Sequence, residues 1–173
     1  DQGEAVNLSD TMAVFHEGAV QQCGPPLEVY REPVSTFVGV FVGSPPMNLI
    51  EATVNGTAPL QVDWRGFSLP PNILPQPPPV KVGHPVILGI RPEDIEDSDF
   101  ADEGPMKAYL DGIVEVVEPM GSETMLYISM RRGRQIVAKV DPGTKAAFGK
   151  SISLVADLSK AHLFDKQTGL SLR

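Results

Sequence analysis

The chain has 173 residues, room for one domain or one domain plus part of another. Fourteen basic against 22 acidic residues leave a net charge of −8, which repels phosphate backbones and argues against nucleic acid and anionic membrane as partners. A hydrophobic share of 42% fits a folded chain, and no apolar run approaches the ~20 residues a membrane span needs. The single cysteine, Cys23, excludes an internal disulfide framework and a cysteine-based zinc site.

The sequence starts at Asp1 without a methionine, and its first residues read as mid-sequence, so a piece of a longer chain is expected. Residues 1–10 fit the end of a helix. Thr11–His16, apolar from Met12 to Phe15, predicts a strand buried on both faces. Glu17-Gly18 turns it into a second short strand, Ala19–Gln22. Gly24-Pro25-Pro26 opens a helix over Leu27–Arg31, because a proline in the first turn lacks only an N–H that would be unpaired there. Pro33 repeats that signal before Val34–Val42, where Phe37, Val40 and Phe41 share a helical face and Gly43 is placed to end it; the alternation Val38-Gly39-Val40 also permits a strand.

Ser44-Pro45-Pro46 marks a boundary, and everything beyond it reads as β. Asn48–Val54 is a strand ending at an expected Asn55-Gly56 hairpin turn. Leu60–Trp64 and Gly66–Leu69 follow. Residues 69–79 hold six prolines and read as an extended connection. Val86–Ile90 is a buried strand, and the seven acidic residues of 93–103 read as a solvated loop. Lys107–Val117 alternates, with Ala108, Leu110, Gly112, Val114 and Val116 on one face. Thr124–Met130 and Gln135–Val140 flank the basic turn Arg131-Arg132-Gly133-Arg134. Ser151–Ala156 alternates, and Ala161–Phe164 closes the series. Short strands at close spacing predict a small barrel or sandwich.

Chemical motifs are scarce. Gly143 and Gly149-Lys150-Ser151 are one residue too far apart for a phosphate loop, and a strand follows where a helix is required. Asp97 and Asp99 match only two positions of a calcium loop. His16, His84 and His162 lack metal spacing, and no nucleophile elbow surrounds any serine. The arginine cluster reads as a solvated hairpin tip. From residues alone, this is an acidic, mainly β chain with an α/β appendage and no visible active site.

Several segments together resemble the ATP-binding subunits of ABC importers for oligosaccharides and glycerol phosphate. Asp1-Gln2-Gly3-Glu4-Ala5 with Ser9-Asp10 is similar to the stretch after the switch histidine, although Gly3 stands where the family more often has a larger residue. Met12–Gln22 resembles the closing hairpin of the ATPase fold, Gly24–Pro33 the helix after it, and Phe41–Asn48 the junction into the C-terminal region. Gly89-Ile90-Arg91-Pro92-Glu93 and His162-Leu163-Phe164-Asp165 resemble motifs of the regulatory domain, an OB-like barrel of the TOBE type.

The resemblance implies residues 1–43 as the end of an ATPase domain, residues 44–173 as the regulatory domain, and Gly43, Ser44, Pro45 and Pro46 as a hinge. It implies structural or dimer-contact roles for Gly89–Glu93 and His162–Asp165; from its residue type, Arg91 is expected to pair with Glu93 or reach across the contact. The Walker motifs, signature loop and switch histidine would lie upstream of Asp1. ATP and magnesium are therefore implied for the longer protein only, and this piece is expected not to hydrolyse ATP. A homodimer, membrane subunits, a regulatory protein and a cytoplasmic place at the inner membrane face complete the expectation, with no nucleic acid. Residues 1–43 are expected to pack on the barrel, pair with another copy or exchange with one. Two alternatives stay open: a barrel sensing a small oxyanion or solute, and a nucleic-acid-binding OB fold, which the acidic charge and sparse aromatics disfavour.

Overall fold

The computed structural model describes residues 10–57, 60–64, 67–68, 80–104, 106–130 and 134–172. The expected helix end before Asp10, the proline-rich connection and residues 131–133 of the basic turn lie outside them.

The first elements form a small α/β unit. Strands β1 (Met12–His16) and β2 (Ala19–Gly24) pair antiparallel around Glu17 and Gly18, whose φ values of 48° and 79° suit a tight hairpin turn. Helix α1 (Pro26–Arg31) starts on its proline. Helix α2 (Thr36–Phe41) settles the choice for the following segment. The Ser35 hydroxyl accepts from Val38 N at 3.3 Å to cap its start, and Gly43 lies just past its end at φ 138°. Val14, Val29, Val38 and Val42 make the core of this unit. The double burial expected of β1 does not occur: Val14 is buried while Phe15 is 61% exposed. A two-stranded ribbon has a single covered face, and only alternate residues reach it.

The remainder is mainly β, in an OB-like arrangement of two five-stranded antiparallel sheets. One sheet has the order β12 (His162–Asp165), β6 (Pro85–Ile90), β3 (Asn48–Thr57), β4 (Leu60–Trp64), β5 (Phe67–Ser68). The other runs β10 (Arg134–Val140), β9 (Thr124–Met130), β8 (Lys107–Pro119), β11 (Ser151–Asp157), β7 (Ile95–Asp97). Inward side chains of both, among them Ile50, Leu88, Leu110, Ile128, Ile136 and Leu163, share one core. Each such side chain contributes roughly 1.5–3 kcal/mol when fully buried.

Four strand-level expectations need correction. Asn55-Gly56 is not the hairpin turn. The strand continues to Thr57, and the ladder steps from Val54↔Val62 to Gly56↔Gln61, leaving Asn55 as the extra residue of a bulge. A second bulge lies between Val114 and Val116 and reverses the inward–outward phase of β8. Val116 is therefore 41% exposed and Val117 packs against the core instead. In β11, Leu154, Val155 and Ala156 are all buried, so the strand is covered on both faces where alternation was expected. The acidic stretch is only partly a solvated loop: Pro92–Asp94 forms a 3₁₀ turn leading into β7, and Asp94 and Asp97 are buried. Each has a partner. Lys160 Nζ lies 2.9 Å from Asp94, and Asp97 accepts from Thr144 Oγ1 at 2.5 Å.

Candidate functional site

The two motifs singled out in the sequence meet in one ladder. Strand β12 pairs with β6 so that His162 faces Gly89 and Leu163 faces Leu88. Leu163 points into the shared core. Phe164, the next residue along, lies on the opposite face, and both are buried. That opposite face is covered. Met47 is seated between Gly39 of α2 and Gly89 of β6: a Cβ would come within 3.0 Å of its sulfur at Gly39 and 2.5 Å at Gly89. At Gly89 it would also meet the Phe164 ring at 2.8 Å. Glycine at position 89 thus leaves the space that Met47 and Phe164 fill. Of the nine residues in the two motifs, Glu93 is exposed, Asp165 is half-buried, and the other seven are buried.

Arg91 leaves the end of β6 and turns into the seam between sheet and helices, where it is 3% exposed. Its Nη1 donates to Val42 O at 2.9 Å, and its Nη2 donates to Tyr30 O. The guanidinium carbon sits 3.5 Å from the centre of the Tyr30 ring. Both carbonyls close helix ends, where the backbone dipoles leave partial negative charge. Glu93 does not pair with Arg91; its carboxylate accepts the Tyr30 hydroxyl. Burial pushes the Arg91 guanidinium down, and burial together with the bond to Glu93 pushes the Tyr30 hydroxyl well up, so the ring beneath Arg91 stays neutral. An open cleft of about 450 Å³ runs beside this seam, lined by Tyr30, Arg31, Glu93, Asp94, Lys160 and His162 among others. Two of its charged groups pair with each other: Asp94 is pushed up by burial, and Lys160 is pushed up by its bond to Asp94.

At the far end of β12, Asp165 organises the turn into the C-terminal segment. It accepts from Gln167 N at 2.9 Å, Thr168 N at 2.6 Å and Thr168 Oγ1 at 3.0 Å, and pairs with His84 Nε2 at 2.6 Å. Chiefly because of the backbone bond from Thr168, its carboxyl is pulled down to about 2 from an ordinary 3.8. The stabilisation this gives is complete above pH 4 and is lost as pH falls towards 2. Asp165→Asn is expected to lower the urea midpoint clearly at pH 6 and scarcely at pH 2. A deficit of equal size at both values would count against this role of the carboxylate.

Sequence reasoning missed Asn48. Its Nδ2 donates to Val137 O at 2.8 Å and Ile90 O at 3.2 Å, and its Oδ1 accepts from Val137 N at 2.8 Å. One amide thus occupies the free edge of β10 as a neighbouring strand would and ties the two sheets together. Its signal in the sequence was slight: a polar residue opening an apolar run, directly after Met47. Of the arginine cluster, Arg134 is described, and it reaches Glu51 at 3.1 Å, which also holds Lys166 at 3.0 Å. Among the described residues there is no group of three or more His, Cys, Asp or Glu placed to hold a metal ion. Among them, no helix is long and apolar enough to cross a membrane.

Comparison with known proteins agrees with this architecture. Residues 43–95 match the MalK OB fold domain and residues 88–164 the TOBE domain. The chain is 39% identical over 178 residues to the trehalose/maltose import ATP-binding protein MalK of Thermococcus litoralis, covering 99% of this chain and 46% of that one. It is 36% identical to the sn-glycerol-3-phosphate import ATP-binding protein UgpC of Cupriavidus metallidurans, covering 98% and 46%. With the oligosaccharides import ATP-binding protein MsmX of Bacillus subtilis the identity is 31%, covering 100% and 47%. The chain thus spans about half the length of the curated relatives it matches. Among solved structures, the cytoplasmic molybdate-binding protein ModG with molybdate bound aligns with a TM-score of 0.53 at 17% identity, over 67% of this chain and 94% of that one. At that identity the likeness carries the fold and no ligand.

Proposed function

Because the chain carries the MalK OB fold and TOBE domains and matches the C-terminal part of ABC importer ATP-binding subunits, we propose that it is the regulatory and dimerisation portion of such a subunit. The observation that carries this reading is the match along nearly the whole chain to subunits importing sugars or glycerol phosphate. In this reading ATP and magnesium are held by the preceding part of the longer protein, and no residue of this chain is assigned to them. The longer protein couples ATP hydrolysis to solute import by acting on membrane subunits, and works from the cytoplasmic face. The solute is a sugar or glycerol phosphate.

Within that frame the two motifs serve the fold. Gly89–Pro92 and His162–Phe164 are buried, so they hold β6, β12 and the helices together. The dimer contact then falls to outward side chains of the β module, where Tyr109 and Ile113 on β8 are 50% and 46% exposed and Phe148 is 79% exposed. A regulatory protein would dock on the same module. The longer subunit tests this directly. Without nucleotide, the intact subunit is expected to remain dimeric, and one lacking the segment equivalent to residues 44–173 is expected to become monomeric. A deletion that stays dimeric without nucleotide would overturn the dimerisation role.

A further inference from the structure

We propose that residues 26–43 form one mechanical body with the β module, latched on one side by Arg91 and on the other by residues 169–171, so that Gly43–Pro46 is a fixed joint and not a hinge. The first latch is a single planar fork. Arg91 is rooted in the β module, yet its two terminal nitrogens end on the carbonyls of Tyr30 and Val42, at the ends of two different helices. Two residues further on, Glu93 grips the Tyr30 hydroxyl. The second latch is backbone. Thr36 N donates to Gly169 O and Ser171 N donates to Val34 O, both at 2.8 Å, and Ser35 bridges Leu170. The C-terminal segment, itself continuous with β12, thereby runs as a short strand beside the start of α2.

Between the latches the joint is filled. Met47, 3% exposed, occupies the space above both Gly39 and Gly89. At Gly43 a Cβ would lie 2.9 Å from Arg91 Nη1, so the backbone is pressed against the latch itself. Hinge residues absorb changes in φ and ψ, which requires that the elements on either side be free to part. Here they are joined at three places around the joint. The consequence, which rests on the function proposed above, is that a partner docking on the β module carries α1 and α2 with it.

Amide hydrogen exchange of the intact chain tests the latch. In the wild type, the Gly39 and Val42 amides of the helical unit and the Leu88 and Ile90 amides of β6 are expected to open together, with protection within about fivefold. Arg91→Met keeps the volume and removes the charge. It is expected to speed exchange at Gly39 and Val42 by at least about 30-fold, and β8 and β9 much less. Arg91→Lys, which reaches one carbonyl at a time, is expected to fall between. A wild type whose Gly39 and Val42 amides exchange about 100-fold faster than β6 would overturn the proposal, as would an Arg91→Met that accelerates every amide equally. Should Arg91→Met not fold, the wild-type comparison decides alone. Loss of the dimer, the failure of the proposed function, leaves this readout unchanged.

Discussion

Phe164→Ala is expected to lower the unfolding free energy by about 4 kcal/mol, the middle of the range for core aromatics. The residue is 0% exposed, yet it lies outside the shared core of the two sheets. Its ring fills the opposite face of β12, against Gly89 and near Met47, with the His162 ring centre 6.1 Å away. Truncation opens a cavity beneath the helices, and Met47 has little freedom to collapse into it because Gly39 and Gly89 already confine it. Phe164→Leu keeps most of the volume and is expected to cost about 1.5 kcal/mol. Urea unfolding at neutral pH reads both values. A loss under about 1 kcal/mol for the alanine variant would show that the helices do not seal this face.

The second large effect is at Asn48. Asn48→Ala leaves the N–H and C=O of Val137 and the C=O of Ile90 without their side-chain partner, at a cost of about 3 kcal/mol. Asn48→Asp separates bonding from packing. A carboxylate still accepts from Val137 N but faces the carbonyls of Val137 and Ile90 with no donor, so it is expected to be at least as damaging near pH 7 and to recover part of the loss when protonated by acid. An aspartate variant as stable as wild type at neutral pH would contradict the clamp.

What was legible in the sequence follows from short-range rules. The prolines at 25 and 26 placed the first helix, because proline tolerates the first turn and little else, while the segment after Pro33 stayed open between helix and strand until the fold chose the helix Thr36–Phe41. β9 and β10 were readable because strict alternation met strict burial, Leu126 and Ile128 inward, Met125 and Tyr127 half-exposed. β6 read as buried because a sheet covers one of its faces and the helical unit the other. Two of the errors came where one residue changes a period. Asn55 as an extra residue turned an expected hairpin signal into a bulge, and the bulge beyond Val114 sent Val116 outward.

The site was legible as a pair of motifs but not as an arrangement. Gly89–Glu93 and His162–Asp165 were named together, and their pairing across a ladder is a contact between residues more than 70 positions apart, which no local pattern encodes. Arg91 was expected to look towards Glu93 or a second copy. Its targets are backbone carbonyls, which every residue carries and which no sequence therefore advertises. The same holds for Asn48 and Val137.

The central claim is that this chain supplies a dimer contact to an importer subunit, and size-exclusion chromatography with light scattering, run across a range of concentrations, tests it most directly. The expected result is a species of twice the 18.6 kDa chain mass that persists on dilution into the micromolar range. A monomer at every concentration would contradict the claim and leave the β module with docking of a regulator as its role.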